Sequence, residues 1–244
     1  MDKSWRSDDE TLLKKLSAVR THEPSKEMLA QICRNHKAWS DHHEPTAWDI
    51  QNVFRRHPDT TVVTCTRRAA DVVNEVYVRA KYGKRPPLAT LPTEYDANAE
   101  NYDKHGKLRQ DRRPKPKMMP AHHGMRLHLT RNLDKAHDFV NGMEANLEDY
   151  DPESECLRVR TKTGRVLAVY KYTDPETRCT FFPIRCGYAS TIYKMQGAQL
   201  PHVTIWLDRA GMKAAAYVAM SRVRRDNEYL LGGIVTQAHV VPNA

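Results

Sequence analysis

Residues 60–65 read TTVVTC, and residues 67–82 read RRAADVVNEVYVRAKY before Gly83. The first stretch is short and rich in β-branched residues, which is typical of a buried strand. The second has apolar residues at helical spacing, and a glycine commonly follows the last turn of a helix. A strand followed at once by a helix is the repeating unit of a parallel sheet. These residues therefore predict an α/β fold.

Three helices are predicted before this unit. Serine, threonine and aspartate side chains accept hydrogen bonds at the first turn of many helices, and an acidic residue three positions later strengthens the signal. Apolar residues at helical spacing follow each candidate cap. The candidate caps are Ser7 with Glu10, Ser25, and Thr46 with Asp49.

The α/β pattern returns after residue 186. Residues 202–208 read HVTIWLD, which is typical of a buried strand, and residues 229–231 begin another. Residues 190–196 and 214–224 are predicted to be helical, because their apolar residues recur at helical spacing. The chain therefore reads as α/β, then an insertion, then α/β again.

The insertion has two parts. Residues 84–124 hold six of the 14 prolines and show no apolar periodicity, so we expect a loop or linker. Within them, residues 104–117 contain seven basic residues and one acid. Both a solvated basic loop without a dedicated function and a phosphate-binding loop fit this composition. Residues 125–186 contain short alternating runs and tight turns, which predict a small antiparallel barrel.

The composition favours an anionic partner. The 244 residues carry a formal net charge of +9, and a protein this basic often binds nucleic acid. The mean hydropathy is −0.73, and no apolar run is long enough for a transmembrane helix, so no membrane partner is expected. The first ten residues lack the apolar stretch of a signal peptide, and five scattered cysteines suit a reducing compartment. We therefore expect an intracellular location: the nucleus or mitochondrion of a eukaryote, or otherwise the cytoplasm.

The sequence does not predict a metal site or a P-loop. No Gly-x-x-x-x-Gly-Lys-Ser/Thr motif occurs in the 244 residues. The acidic run at residues 8–10 does not follow an apolar strand, which argues against a magnesium site there. Cys33, His36, His42 and His43 lack a second cysteine at zinc-ribbon spacing. They are interpreted as surface histidines and one buried thiol.

Two motifs carry the sharpest functional signal. Residues 188–200 read YASTIYKMQGAQL, and residues 216–224 read AYVAMSRVR. They resemble motifs V and VI of the PIF-type and RecD-like DNA helicases of superfamily 1, and the spacing between them also fits. Weaker resemblance links residues 64–74 to motif IV, residues 125–142 to an inserted SH3-like barrel, and residues 6–20 to the helix after motif III. Nearly the whole chain is covered.

The resemblance implies a fold class and a set of domain boundaries. The fold would be a second RecA-like domain, of P-loop NTPase type, with a small inserted SH3-like β-barrel. The implied segments are an N-terminal helical segment, the first part of the RecA-like domain, a basic linker, the barrel, and the rest of the RecA-like domain. Their bounds are 1–59, 60–83, 84–124, 125–186 and 187–244.

The resemblance also implies roles for residues that face nucleotide. Arg222 matches the arginine that stabilises charge on the γ-phosphate, for which a planar cation is suited. Its alternative is a surface arginine in an ion pair. Arg67 matches a phosphate-facing position of motif IV, although Arg68 is an equally good candidate. Gln196 and Gly197 match the motif V pair beside the nucleotide, although Gly197 also suits a helix C-cap.

Other matched residues would contact single-stranded DNA. Thr191 and Lys194 offer a hydroxyl and an ammonium group for phosphate, and Tyr193 offers a ring for base stacking. Packing of Tyr193 in the core is the alternative. In the barrel, the candidates for backbone contact are Lys162, Lys171 and Arg160, for which a plain solvated face is the alternative.

The chain departs from the family pattern at three positions in motif V. The family's His, Ser and Thr are Tyr193, Met195 and Gln199 here, so the hydrogen bonds of those side chains cannot be carried over. Motifs I, Ia, II and III, which supply the P-loop and the magnesium-binding acid, find no match in these residues.

The resemblance therefore predicts the C-terminal half of an ATP-dependent DNA helicase. ATP and Mg²⁺ would bind only with a first RecA-like domain, present in cis or in trans, and the chain alone would be inactive. Single-stranded DNA is the expected partner. The alternatives are a non-catalytic nucleic-acid-binding module and a degenerate helicase fragment.

Overall fold

A computed structural model describes residues 7–39, 42–94 and 115–242. The chain divides into two units. The first, which we call the parallel unit, comprises Met1–Lys81 and Tyr188–Ala244. The second, which we call the antiparallel unit, is Tyr82–Gly187 and is inserted between the two segments of the first.

The helices and strands of the described residues follow one another in this order: α1 (Glu10–Thr21), α2 (Lys26–Cys33), β1 (Lys37–Trp39), α3 (Ala47–Arg56), β2 (Thr61–Thr64), α4 (Arg67–Tyr82), β3 (Ala89–Thr93), β4 (Lys117–Ala121), β5 (Arg126–Leu129), β6 (Glu144–Asp151), β7 (Cys156–Thr161), β8 (Val166–Val169), β9 (Tyr172–Thr173), β10 (Thr180–Phe181), β11 (Ile184–Cys186), β12 (Ala189–Thr191), β13 (Val203–Trp206), α5 (Ala215–Met220) and β14 (Tyr229–Gly232). Among these residues, no helix is both long and apolar enough to cross a membrane.

The parallel unit is built on a five-stranded sheet in the order β1-β14-β13-β2-β12, with every pairing parallel. Its central strands are buried on both faces, as strands covered by helices on each side must be. Val63, Ile205 and Leu231 lie in one core cluster with residues of α1 and α5. The predicted α/β fold with a parallel sheet is confirmed.

The long helix α4 runs from Arg67 to Tyr82 and follows β2 directly, as predicted. The capping box of α3 is also present, because Thr46 and Asp49 bond each other's backbone. The predicted start of α1 at Ser7 is wrong. Asp9 caps this helix, with its carboxylate accepting from the Leu12 amide at 3.1 Å.

Two sequence predictions fail near β12. Residues 190–196 were predicted to be helical, yet β12 occupies Ala189–Thr191 and turns follow it. Thr191 pairs with Thr64 of β2, so the first residues of the predicted helix are hydrogen-bonded to a neighbouring strand instead. Helix α5 ends at Met220, earlier than the predicted residue 224. The short strand β1, at the opposite edge of the sheet, was not predicted.

The antiparallel unit contains a five-stranded sheet in the order β11-β5-β6-β7-β8, as well as the pairs β3-β4 and β9-β10. All pairings between these strands are antiparallel, which was predicted for residues 125–186 but not for the pair β3-β4. Buried and exposed residues alternate along β7 and β8, so one face of the sheet forms the core of this unit.

The prediction that residues 84–124 lack regular structure is wrong for ten of them. Ala89–Thr93 of β3 pair along their whole length with Lys117–Ala121 of β4. Pro92 and Pro120 lie within these strands and hid the strand pattern, because proline is tolerated only where a strand edge is unpaired. Most of the basic stretch at residues 104–117 lies outside the described residues.

The chain leaves and re-enters the parallel unit at adjacent places. The ammonium nitrogen of Lys81, near the end of α4, lies 5.5 Å from the ring centre of Tyr188, which precedes β12. The rings of Tyr77 and Tyr188 meet edge to face at 4.6 Å. Side-chain contacts within the parallel unit therefore hold both ends of the insertion together.

Candidate nucleic-acid and nucleotide interface

The carboxyl ends of parallel strands lie at one edge of their sheet, which is where ligands bind in open α/β folds. In the parallel unit this edge carries the start of α4, with Arg67 and Arg68, and the segment after β12, with Tyr193 and Lys194. We call residues 192–200 the β12 loop. All four of these side chains are exposed. Because they follow the carboxyl ends of β2 and β12, these four predicted site residues lie at the same edge of the sheet.

The β12 loop presents two exposed side chains between two buried ones. Tyr193 is 66% exposed, and Lys194 is also exposed. Ile192 and Met195 are buried in the core of the parallel unit. Packing of Tyr193 in the core is therefore excluded. Thr191 is buried at the end of β12, so the structure separates it from the exposed pair.

Tight turns shape the β12 loop. The Thr191 carbonyl accepts from the amides of Lys194 and Met195, at 3.0 and 3.2 Å. Gly197 has a φ of +85°, which favours glycine, and a Cβ there would meet nothing within 4 Å. Because no helix precedes it, Gly197 marks a turn rather than a helix C-cap. Gln196, its neighbour, is exposed.

Arg222 lies just after α5 and is 7% exposed. Its guanidinium donates to the carbonyls of Met195 and Ala198 in the β12 loop, at 3.2 and 3.3 Å. It also donates to the Val218 carbonyl at 2.7 Å and to the Ser221 hydroxyl at 2.6 Å. Arg222 is therefore a buried residue rather than a surface one, and these four acceptors are protein carbonyl and hydroxyl groups.

A buried asparagine fixes the start of β12. The Asn74 side-chain oxygen accepts from the amides of Tyr188 and Ala189, at 3.1 and 2.9 Å. Its amide nitrogen donates to the Ala189 carbonyl at 3.1 Å. Because β12 is an edge strand paired only with β2, these three bonds replace part of a missing neighbour strand. The sequence placed Asn74 in motif IV but gave no reason for an amide there.

An aspartate fixes the turn that precedes Arg67 and Arg68. The Asp208 carboxylate, just after β13, accepts from the Cys65 amide at 2.7 Å and from the Thr66 hydroxyl. Thr66 in turn accepts from the Ala69 amide in the first turn of α4. A polar residue directly after a buried strand was the signal that could have identified Asp208.

The thiol of Cys65, in the same turn, is buried. Burial raises the pKa of Cys65 to about 11, and the thiol donates a hydrogen bond to the Arg209 carbonyl. The thiol therefore stays protonated at neutral pH, and a protonated thiol is a poor nucleophile.

A buried polar cluster ties α1 to the segment after motif VI. Lys15 donates to both carboxylate oxygens of Asp226 at 2.8 Å and to the Tyr229 hydroxyl at 3.2 Å. His36 contacts Lys15 and Asp226 through Nε2, and its ring stacks on Tyr229 at 4.0 Å. Burial raises the pKa of the Tyr229 phenol. The prediction that His36 lies on the surface is wrong, because its partners are distant in sequence.

The antiparallel unit handles its candidate cations differently. Lys171 pairs with Glu155, and Arg160 pairs with Glu148 at 2.6 Å. Lys162 is exposed in the turn after β7 and has no ion-pair partner within the described parts of the chain. Two of the three candidates in this unit are therefore already neutralised by carboxylates.

The described residues do not form a metal centre. Groups of three or more His, Cys, Asp or Glu side chains able to hold a metal ion do not occur in residues 7–39, 42–94 and 115–242. Asp9 is committed to capping α1 and to accepting from the Asp226 amide. These residues offer cations and hydroxyl groups for phosphate, but they do not fit a magnesium ion by themselves.

Curated relatives cover nearly the whole chain. The chain is 25% identical to human ATP-dependent DNA helicase PIF1 over 232 residues, which is 92% of this chain and 33% of the human protein. It is 25% identical to the rat protein of the same name over 228 residues, which is 90% of this chain and 32% of that protein. No family model matches the chain.

The chain is similar to the C-terminal part of PIF1 helicases. It spans about a third of the length of the curated PIF1 relatives that it matches. Solved Pif1 structures agree in fold. A crystal structure of Bacteroides Pif1 bound to single-stranded DNA aligns with a TM-score of 0.65 at 16% identity, covering 98% of this chain and 53% of that one. Pif1 from Candida albicans aligns with a TM-score of 0.63 at 15% identity, covering 98% and 57%.

The Pif1 likeness places the mixed α/β architecture of this chain among helicase structures. Since these structures are less than 25% identical to the chain, they establish the fold alone. The curated relatives are ATP-dependent DNA helicases by name, and the similarity to them supports a helicase-related function.

Proposed function

We propose that this chain is the second RecA-like motor domain of a PIF-type DNA helicase. Its antiparallel unit would be the SH3-like barrel inserted into that domain. The observation that carries the proposal is the match to PIF1 helicases over 92% of the chain, with motifs V and VI folded against each other.

The β12 loop supports a role in binding single-stranded DNA. Tyr193 is the exposed ring, and base stacking on an aromatic side chain is worth roughly 1–3 kcal/mol per base. Lys194 beside it supplies an ammonium group for phosphate. A ring and a cation side by side on one loop are what a sequence-tolerant single-strand site needs. Thr191 is buried, so we assign it a structural role at the end of β12.

The same edge of the sheet supports a nucleotide-facing role that needs a second domain. Arg67 lies at the start of α4, Gln196 and Gly197 lie in the β12 loop, and Arg222 lies behind that loop. Cations and backbone amides can stabilise a transferring phosphoryl group. The chain supplies no P-loop, so a first RecA-like domain in cis or in trans would have to hold ATP and Mg²⁺.

Nucleotide hydrolysis tests the motor part of the proposal. We expect the purified 244-residue chain to show no ATP hydrolysis above background, with or without single-stranded DNA. Addition of a first RecA-like domain from a PIF-type helicase should restore turnover, and Arg222→Ala should abolish it. Robust hydrolysis by the chain alone would contradict the proposal.

Salt-dependent binding tests the DNA part. Fluorescence anisotropy with labelled oligo(dT) should give an affinity that falls steeply with salt, since each phosphate contact adds roughly 0.7 to the slope. Tyr193→Ala should weaken binding roughly tenfold through lost stacking. Lys194→Ala should reduce the slope by roughly one contact. If the wild-type chain does not bind oligo(dT) at low salt, this part is wrong.

A non-catalytic nucleic-acid-binding module is the second candidate, and the net charge of +9 favours it. It predicts the same DNA binding. It differs in predicting that no first RecA-like domain restores ATP hydrolysis.

A further inference from the structure

We propose that Arg222 is a positioning residue for DNA binding, in addition to any contact with nucleotide. It sets the conformation of the β12 loop and thereby the placement of Tyr193 and Lys194. The inference rests on the proposed function, since it assumes that these two side chains contact single-stranded DNA.

Residue 222 holds the β12 loop at three places. Its guanidinium donates to the carbonyls of Met195 and Ala198, at 3.2 and 3.3 Å. Its own carbonyl accepts from the Leu200 amide at 2.8 Å. The contacts begin directly after Lys194 and extend to the end of the loop. One residue of motif VI therefore fixes the backbone of motif V.

The guanidinium of Arg222 is itself held in place by hydrogen bonds. Its Nε donates to the Val218 carbonyl at 2.7 Å, and its Nη2 donates to the Ser221 hydroxyl at 2.6 Å. Because a guanidinium is planar, bonds at Nε and Nη2 fix the direction in which Nη1 points. Helix α5 and the residue after it thus aim the side chain at the loop carbonyls.

The Arg222 side chain could also bind the γ-phosphate of a nucleotide. A guanidinium that turned outward to a γ-phosphate would give up its bonds to Met195 and Ala198. Phosphate and the β12 loop would then compete for Arg222. Such competition makes nucleotide affinity and DNA affinity depend on each other, as linkage requires.

The test uses DNA binding without nucleotide. Replacing an arginine that acts only on nucleotide leaves DNA binding without nucleotide unchanged. Replacing a residue that positions the β12 loop weakens DNA binding even without nucleotide. We expect Arg222→Ala to weaken oligo(dT) binding roughly tenfold and to lower the salt slope as Lys194→Ala does. Arg222→Lys should also weaken binding, because an ammonium group keeps the charge but not the planar geometry.

Two further variants separate geometry from charge and from coupling. Arg34→Ala removes the same charge from an exposed site of the parallel unit, just after α2, and should change affinity less than twofold. The double variant Arg222→Ala with Lys194→Ala should bind no more weakly than Arg222→Ala alone. Independent contributions would instead multiply.

The outcomes distinguish this inference from the proposed function. If wild-type chain fails to bind oligo(dT), the proposed DNA binding fails and takes the inference with it. If wild type binds, and Tyr193→Ala and Lys194→Ala weaken binding while folded Arg222→Ala does not, only the inference is overturned. Circular dichroism and tryptophan fluorescence check the fold. If Arg222→Ala does not fold, Ser221→Ala takes its place, because it removes one hydrogen-bond partner of the guanidinium. This variant should weaken oligo(dT) binding a few-fold. Unchanged affinity in both Ser221→Ala and Arg222→Lys would overturn the inference.

Discussion

The parallel unit and the antiparallel unit use their polar side chains in different ways. In the parallel unit, Asn74, Asp208 and Arg222 bond to backbone groups of neighbouring strands and loops. In the antiparallel unit, many charged side chains pair with each other, and Arg158 with Asp149 and Arg160 with Glu148 do so across adjacent strands.

This difference affects which of the two units contributes more to the affinity for a ligand. A side chain bonded to backbone fixes the path of a loop and thereby the positions of the exposed groups on it. A surface ion pair contributes little to stability and neutralises the cation that it contains. The parallel unit should therefore be sensitive to single polar substitutions, whereas the antiparallel unit should tolerate most of them.

The largest expected effect follows from Asn74→Ala. The change leaves two amides and one carbonyl at the start of β12 without their partner in a buried place. We expect the free energy of unfolding to fall by about 3 kcal/mol, since each unsatisfied buried group costs about 1–3 kcal/mol. Urea unfolding followed by tryptophan fluorescence measures this, because the tryptophans at positions 5, 39, 48 and 206 all lie outside the antiparallel unit.

Asn52→Ala is the matched control for that experiment. Asn52 lies on α3, where its side chain accepts only an exposed hydrogen bond from Arg55. Its removal should change stability by less than about 0.5 kcal/mol. Equal losses in the two variants would show that the bonds of Asn74 to β12 contribute no special stability.

The second effect is a loss of stability of the parallel unit in mild acid. Burial, with His57 and Arg56 nearby, lowers the pKa of His202 from 6.5 to about 4. Its Nδ1 lies 2.8 Å from the Thr60 hydroxyl, and Nε2 has no hydrogen-bond partner in the described part of the chain. Below pH 6.5 the unfolded chain takes up a proton at this histidine and the folded chain does not, so acid favours unfolding.

Between pH 7 and pH 5, this histidine alone should cost the folded state about 2 kcal/mol. Urea unfolding of the wild type and of His202→Gln at each pH measures the difference. The variant should have a flatter stability profile over this range. Parallel profiles for the two proteins would contradict the assignment.

The third effect tests the most buried of the ion pairs described in the antiparallel unit. Glu94 accepts from Arg131 and, at 2.9 Å, from Arg185, and all three side chains are largely buried. Burial alone would raise the pKa of Glu94, but Arg185 and Arg131 lower it below its ordinary value. Glu94→Ala should cost about 1.5 kcal/mol, since it leaves two arginines without this carboxylate.

Hydrogen exchange of residues 82–187 measures that loss within the antiparallel unit. The tryptophan transition of the parallel unit should stay where it is in the wild type. A shift of that transition as large as the loss of protection would show that the two units unfold together.

The smallest effect concerns DNA binding by the antiparallel unit. Lys171 is paired with Glu155, so Lys171→Ala should change oligo(dT) affinity less than twofold and leave stability within about 0.5 kcal/mol. Lys194→Ala in the β12 loop is the comparison. A larger effect of Lys171→Ala than of Lys194→Ala would move the principal DNA contact to the other unit.

Local patterns were sufficient where one stretch of chain determines its own structure. Helix α4 is long and periodic and ends before Gly83, so its bounds were predicted correctly. The predicted helix at residues 190–196 failed because Ile192 and Met195 have helical spacing for a different reason. They anchor a loop whose preceding residue pairs with β2.

For the candidate site, the sequence suggested residues but did not predict their surroundings in the fold. Motif resemblance selected Tyr193, Lys194 and Arg222 from the sequence. It did not show that Arg222 is buried, because its acceptors in the β12 loop lie 24 and 27 residues away. The same holds for His36, whose partner Asp226 lies 190 residues away.

The paired ends of the insertion have a consequence for the history of the chain. Because Lys81 and Tyr188 lie side by side, a short connection could join them in place of the residues between them, with the parallel sheet unchanged. A gene can then gain, lose or exchange the antiparallel unit as a cassette, without altering the strand order of the parallel unit. The same junction offers protein engineers a natural splice point for a different module.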